Sequence, residues 1–401
     1  MQKSLKAMES LHRGFAQQQS GQLDEAVRLY KVVLRQFPDH FDALHWLGVA
    51  ESQRGRHDRA EKSLLAAVKI NPQSPEAFSN LGNVQRELGK FEQALASSER
   101  ALQLRPGYAN ALNGRGLALL ALDRLEQALV DFEQALALEP QFAGALNNRA
   151  TTLRRLGRLE DALQSYDRTF AIAPTVPLLV DRGSLLVELG RTADGLALLD
   201  QALARDPRSA DAHYNRGVAL LQLEKLDEAL ASFDAAIAVQ PAFGAALRNR
   251  GNVLLQLGRY DQAIASFDRA LAADPAQLAA LSDRGHAALA AFRFETAAES
   301  FARLVEHDPE YPYALGDLLF AKLYCCDWDG IAPLKARVAA GLQDGKRAVF
   351  PGHWIAASNS PADQLRAAEI WAADIYGSGT APPPPALSKH GRIRIAYVSA
   401  D

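Results

Sequence analysis

Proline recurs at Pro38, Pro72, Pro106, Pro140, Pro174, Pro207, Pro241, Pro275 and Pro309, a step of 34 residues broken once by a step of 33. A period that short fixes the architecture before any local element is read. One unit cannot bury its own apolar face and is stabilised only by stacking on copies of itself. Twenty-four residues before each proline stands Gly14, Gly48, Gly82, Gly116, Ala150, Gly183, Gly217, Gly251 or Gly285. Twelve residues after each of these stands Ala26, Ala60, Ala94, Ala128, Ala162, Gly195, Ala229, Ala263 or Ala297. Small residues at fixed offsets inside apolar-periodic segments mark helices whose backbones approach closely, since glycine inside a helix otherwise costs ~1 kcal/mol relative to alanine. Each period is a helical hairpin.

This pattern resembles the tetratricopeptide repeat, with small residues at positions 8 and 20, an aromatic or leucine at position 24 and proline at position 32. Position 24 here is Tyr30, Leu64, Ser98, Phe132, Tyr166, Leu199, Phe233, Phe267 and Phe301. Nine repeats run over residues 7–311. The resemblance implies an all-α, right-handed superhelical solenoid, with first helices lining a concave groove and second helices outside. One joint departs from the pattern. A residue is missing between Pro174 and Gly183, Pro177 falls in the first helix of repeat six, and Ala150 and Gly195 exchange the usual small residues. Either the superhelical pitch changes there, or the turn absorbs the deletion.

The 401 residues carry 44 basic and 47 acidic side chains, too balanced for a surface that displaces counterions from nucleic acid. No apolar run reaches the ~18 residues a membrane span needs, and the N-terminal residues lack a secretory core. With only Cys325 and Cys326, adjacent and too close for an unstrained disulfide, a cytoplasmic setting is expected, with partners other than nucleic acid or membrane. Nothing in the composition fixes an oligomeric state.

Positions 2, 6, 9 and 13 of a first helix share one face. Position 6 holds Asn80, Asn148, Asn215 and Asn249, with Asp181 and Asp283 in two other repeats, position 9 adds Asn83 and Asn252, and position 5 adds Asn113 and Asn147. Asparagine is a mediocre helix former, so its repeated use there suggests that the amide has a partner. An amide offers donor and acceptor to an extended peptide, making these eight residues the candidate peptide-binding set. The alternative is a solvated stripe inherited by duplication. Clamping a C-terminal carboxylate would need Lys or Arg at positions 2 and 6, which hold none.

A second pattern concerns how repeats are joined. Position 7, normally apolar in the family, is Arg115, Arg149, Arg182, Arg216, Arg250 and Arg284. Position 25 is acidic at Glu99, Glu133, Asp167, Asp200, Asp234 and Asp268. Pairing within a repeat strands Arg284 and Glu99, whereas pairing with the preceding repeat matches all six, so an inter-repeat ladder is expected.

Residues 312–376 read as a divergent capping hairpin and a further helix, with PGHWIAASNS between them as an irregular stretch, and Ser360 and Pro361 opening the helix. Residues 377–391 form a Pro/Gly-rich linker, and 392–401, RIRIAYVSAD, read as a buried strand. This order resembles the O-linked N-acetylglucosaminyltransferases, including their bacterial and SPINDLY-type relatives. Cys326-Asp327-Trp328 matches a turn of that family. Pro361-Ala362-Asp363-Gln364-Leu365 with Ala368 and Trp371 looks like its transitional helix, and GRIRIAYVSAD looks like the opening strand of its first catalytic lobe. The resemblance implies substrate recognition for a protein glycosyltransferase that uses a nucleotide sugar in its full-length form. The catalytic histidine and the nucleotide-sugar lobe lie beyond Asp401, so residues 1–401 are expected to be inactive, without catalytic residues or a cofactor of their own. A free-standing adaptor is the alternative. Neither an HExxH motif nor zinc-spaced cysteines offers a metal site. His353 beside Trp354 reads as packing or surface, and the cysteines as a buried cap contact.

Overall fold

The computed structural model describes residues 2–376, so the linker at 377–391 and the strand at 392–401 lie outside the described residues. The described residues form two compact units, divided between Lys225 and Leu226. In unit 1 the hairpins are α1 (Gln2–Gln19) with α2 (Leu23–Gln36), α3 (Phe41–Gln53) with α4 (His57–Ile70), α5 (Pro75–Glu87) with α6 (Phe91–Leu104), α7 (Ala109–Ala121) with α8 (Leu125–Leu138), α9 (Ala143–Arg155) with α10 (Leu159–Ile172), and α11 (Val176–Glu188) with α12 (Thr192–Arg205), followed by α13 (Ala210–Gln222). Unit 2 begins with α14 (Leu226–Val239) and continues with the hairpins α15 (Gly244–Gln256) with α16 (Tyr260–Ala273) and α17 (Leu278–Ala290) with α18 (Phe294–His307). It then holds α19 (Ala314–Tyr324), α20 (Ile331–Gln343), α21 (Pro351–Ala357) and α22 (Pro361–Tyr376). The described residues are all-α, as the repeat implies.

Two local requirements make each hairpin. The residue between its helices, position 15, is left-handed, and glycine supplies it at Gly21, Gly55, Gly89, Gly157, Gly190 and Gly258. Asp123, Glu224 and Phe292 adopt the same conformation with a side chain, at φ of 60°, 57° and 57°. Inside the hairpin, the glycine at position 8 makes room for the ring at position 24. A Cβ on Gly116 would lie 2.6 Å from Phe132, and one on Gly285 2.5 Å from Phe301. At the aberrant sixth repeat both small residues are glycine because the backbones nearly touch: a Cβ on Gly195 would fall 2.6 Å from the Gly183 carbonyl oxygen.

Each first helix packs on the second helix before it, and in unit 1 successive first helices also touch, α5 with α7 and α11 with α13. Successive second helices do so less, which makes the first-helix face the inner one. The shortened joint breaks this regularity. Compared with the other first helices of unit 1, α11 packs least extensively on its preceding helix and makes no comparable contact with α9.

Five of the six arginines form the expected inter-repeat bridges: Arg149–Glu133 (3.2 Å), Arg182–Asp167 (2.6 Å), Arg216–Asp200 (2.8 Å), Arg250–Asp234 (2.6 Å) and Arg284–Asp268 (2.7 Å). Arg115 corrects the pattern. It takes Asp131 of its own repeat through Nε at 2.8 Å and Nη2 at 2.6 Å, not Glu99. The cause is position 23. A serine there accepts only Nη1 of the arginine, as Ser165, Ser266 and Ser300 do, leaving the rest of the guanidinium for the preceding acid. Asp131 is a buried carboxylate that fills the guanidinium fork bidentately and displaces the more distant acid.

Beyond the last repeat, α19 packs on α18. The return segment after α20 threads over α19: the Tyr313 and Gly316 amides donate to the Arg347 and Ala348 carbonyls, at 2.5 and 2.9 Å. Gly316 admits that segment, since a Cβ there would lie 2.3 Å from Val349. Part of the stretch expected to be irregular is helical, because α21 opens on Pro351 and buries Trp354 beneath it. The cysteines are not a buried contact. Cys326 is exposed in a left-handed turn at φ 56°, where Asp327 pairs with Lys322 and the chain reverses.

Candidate interaction site on the first-helix face

All eight candidate asparagines are half-buried on first helices: Asn80 and Asn83 on α5, Asn113 on α7, Asn147 and Asn148 on α9 and Asn215 on α13 in unit 1, with Asn249 and Asn252 on α15 in unit 2. The structure joins two of them directly, with Asn148 Nδ2 donating to Asn113 Oδ1 at 2.9 Å. Asn80 Nδ2 meets His45 Nε2 at 2.9 Å, and Asn215 Nδ2 donates to the Asp211 carbonyl of its own helix at 2.8 Å. Asn83 Oδ1 lies 3.2 Å from where a Cβ on Gly114 would sit, so the missing side chain at position 6 of repeat four makes room for it.

The two cross-repeat bonds, His45–Asn80 and Asn113–Asn148, follow a rule that comparison of equal positions misses. Position 5 of one repeat reaches position 6 of the next, a spacing of 35 rather than 34, and in unit 2 Arg248 pairs with Asp283 in the same way at 2.6 Å. The signal was in the sequence as a second diagonal. Burial pushes the His45 pKa below its usual value despite the fields of Asp42 and Glu76, so near neutral pH an uncharged imidazole accepts the Asn80 amide.

At the aberrant joint the inner face opens into a recess of about 350 Å³ lined by Val176, Pro177, Asp181, Ser184, Asp211 and Asn215, among others. Burial, reinforced by Asp211, raises the Asp181 pKa, and Arg154 only partly opposes this. Arg154 is engaged elsewhere, its Nε meeting both carboxylate oxygens of Glu188 at 3.1 and 3.0 Å.

At the end of unit 2, the buried Asp317 carboxylate sits between two imidazoles, His286 Nε2 at 3.1 Å and His353 Nδ1 at 3.0 Å. Burial opposes protonation of His286, but the Asp317 hydrogen bond and charge outweigh it and raise its pKa. His353 also stacks on Phe320 at 4.0 Å, so it packs the cap as the sequence suggests. No group of three metal-binding side chains occurs among the described residues, and none of the described helices is long and apolar enough to cross a membrane.

A stack of helical hairpins with polar side chains arrayed on its inner face defines a repeat-protein interaction scaffold. Tetratricopeptide repeat models match residues 13–75, 73–140, 132–164, 180–238, 220–277 and 254–316. The chain belongs to the tetratricopeptide repeat family.

Among solved structures, the anaphase-promoting complex hetero-tetramer Cut9-Hcn1 is 17% identical at a TM-score of 0.53, over 74% of this chain and 59% of that one. The chain thus spans under two thirds of that protein, and the likeness shows the fold. PilW, a type IV pilus biogenesis factor, is 24% identical at a TM-score of 0.49, over 53% of this chain and 98% of its own. YrrB, described as a tetratricopeptide protein with an unusual peptide-binding site, is 26% identical at 0.40, over 47% and 97%. No curated protein matches the chain.

Proposed function

We propose that the chain is a protein-interaction module that holds extended polypeptide segments on its first-helix face. The observation that carries this reading is the Asn113–Asn148 pair. One hydrogen bond orients both amides across two repeats, and the Asn113 side-chain NH2 and Asn148 Oδ1 have no other hydrogen bond among the described residues. Such amides are held in place before a peptide main chain arrives, which lowers the ordering cost of binding it.

Replacing Asn80, Asn148, Asn215 and Asn249 together by alanine is expected to weaken binding of unstructured peptides by about tenfold or more, measured by fluorescence anisotropy. The cross-repeat bonds of Asn80 and Asn148 are lost at about 0.5–1.5 kcal/mol each, and alanine's better helix propensity offsets this by roughly 0.5 kcal/mol per site. Stability should therefore fall only slightly. Unaltered affinity would leave a solvated stripe.

The finer reading is that this module selects protein substrates for an O-linked N-acetylglucosaminyltransferase-like enzyme. Its support is the sequence resemblance at Cys326-Asp327-Trp328, at Pro361–Leu365 and in GRIRIAYVSAD. Purified 1–401 is expected to transfer no sugar from a nucleotide donor to protein, and turnover by clean protein would contradict that assignment. A coding sequence continuing into a transferase lobe would support it over a free-standing adaptor.

A further inference from the structure

The first-helix face of unit 1 changes character along its length. On α1, Leu5, Met8, His12 and Phe15 recur at i, i+3, i+7 and i+10 and so share one face. Leu5, Met8 and Phe15 are 70, 54 and 37% exposed. Phe15 meets the partly buried Trp46 of α3 edge to face at 4.9 Å, and Trp46 stacks on His45 at 4.9 Å. Together they make an apolar seat with an aromatic floor, where the following repeats carry Asn80 and Asn83.

Acids border the seat. Asp42, in the first turn of α3, is exposed and has no ion-pair partner among the described residues. Glu76 lies on the next first helix and is tied to Arg105 at 2.5 Å. His45 between them is held uncharged by burial and neutralises neither. Positions 2, 6 and 9 of the first seven repeats contain no Lys or Arg; of the two α1 cations flanking the stripe, Lys6 and Arg13, Arg13 acts on Glu25.

We propose that this end of the face seats an extended peptide of a partner protein that carries one aromatic or large aliphatic side chain and a lysine or arginine two residues away. The apolar side chain rests on Met8, Phe15 and Trp46, and the cation meets Asp42. The spacing follows from the helix. Asp42 and Trp46 are one turn apart, about 6 Å, and an extended chain covers that in about two residues. The proposal rests on the polypeptide-binding reading and names the class of segment bound.

The test is an array of serine-rich decapeptides carrying Trp, Leu or Ser at one position and Lys, Ser or Glu two residues on, titrated with the 401-residue chain. The Trp/Lys peptide should bind at least about tenfold more tightly than the Ser/Lys peptide and severalfold more tightly than the Trp/Glu peptide. Asp42→Lys should reverse the preference for Lys over Glu, and Met8→Glu should weaken the Trp and Leu peptides. Both sites are exposed, so both variants are expected to fold. Equal binding of all decapeptides, or an unchanged preference in Asp42→Lys, overturns this proposal while leaving the main-chain reading in place. No binding of any decapeptide overturns both.

Discussion

Phe267→Ala lowers the stability of the chain by about 3–5 kcal/mol, the cost of emptying a fully buried aromatic site. Phe267 is 0% exposed, and its ring lies 2.5–2.9 Å from where a Cβ on Gly251 would fall. The partner substitution Gly251→Ala drives a methyl into that ring and should cost about 1–3 kcal/mol by overpacking. The sites touch, so Gly251→Ala with Phe267→Leu should cost less than the sum of the two single changes. Urea titration of the singles and the double checks this. An unshifted midpoint for Phe267→Ala would mean that the ring does not hold the hairpin together. Ala150 opposite Tyr166 shows how the fold accepts a methyl at this position: both residues are buried, and the tyrosine hydroxyl reaches Thr151 at 3.3 Å.

Asp131→Ala should be the most damaging of the ladder substitutions. It leaves Arg115 without its bidentate partner, and breaking a buried pair from one side costs about 3–5 kcal/mol. The Arg115 side chain keeps 28% of its exposure, so water recovers part of that loss and about 2–3 kcal/mol is expected. Glu133→Ala removes a carboxylate that is 47% exposed and should cost at most about 1 kcal/mol. Glu99→Ala should cost almost nothing, because Arg115 has turned away from it. Denaturant midpoints at constant slope rank the three. A Glu99→Ala loss equal to that of Asp131→Ala would restore the uniform inter-repeat ladder.

The asparagine stripe and the arginine ladder were legible to different depths for one physical reason. A pattern of equal positions reports what each repeat inherits, and the fold reads those positions through the packing of neighbours. Five bridges followed from register alone. The sixth was decided by competition between two acids, and Asp131 prevailed because it is buried and fills the guanidinium fork bidentately, where water screens the pair less than on the open surface. The asparagines were visible as a stripe. Their pairing across a 35-residue diagonal depended on the offset between adjacent first helices, which no single repeat contains. The contact between Phe15 and Trp46 is not legible in any one repeat, because the two rings occupy different positions, 9 and 6, of different repeats and meet only after stacking.

The sequence by itself determined the helical hairpin, its period and the small residue at position 8, because these are constraints within a few dozen residues that backbone sterics and side-chain volume impose directly. Only the tertiary structure decided that Arg115 takes Asp131, which amides meet and where the inner face opens into a recess. Those outcomes turn on distances of a few ångströms between separate repeats, and the Coulomb and hydrogen-bond energies that select among them change most steeply over that range.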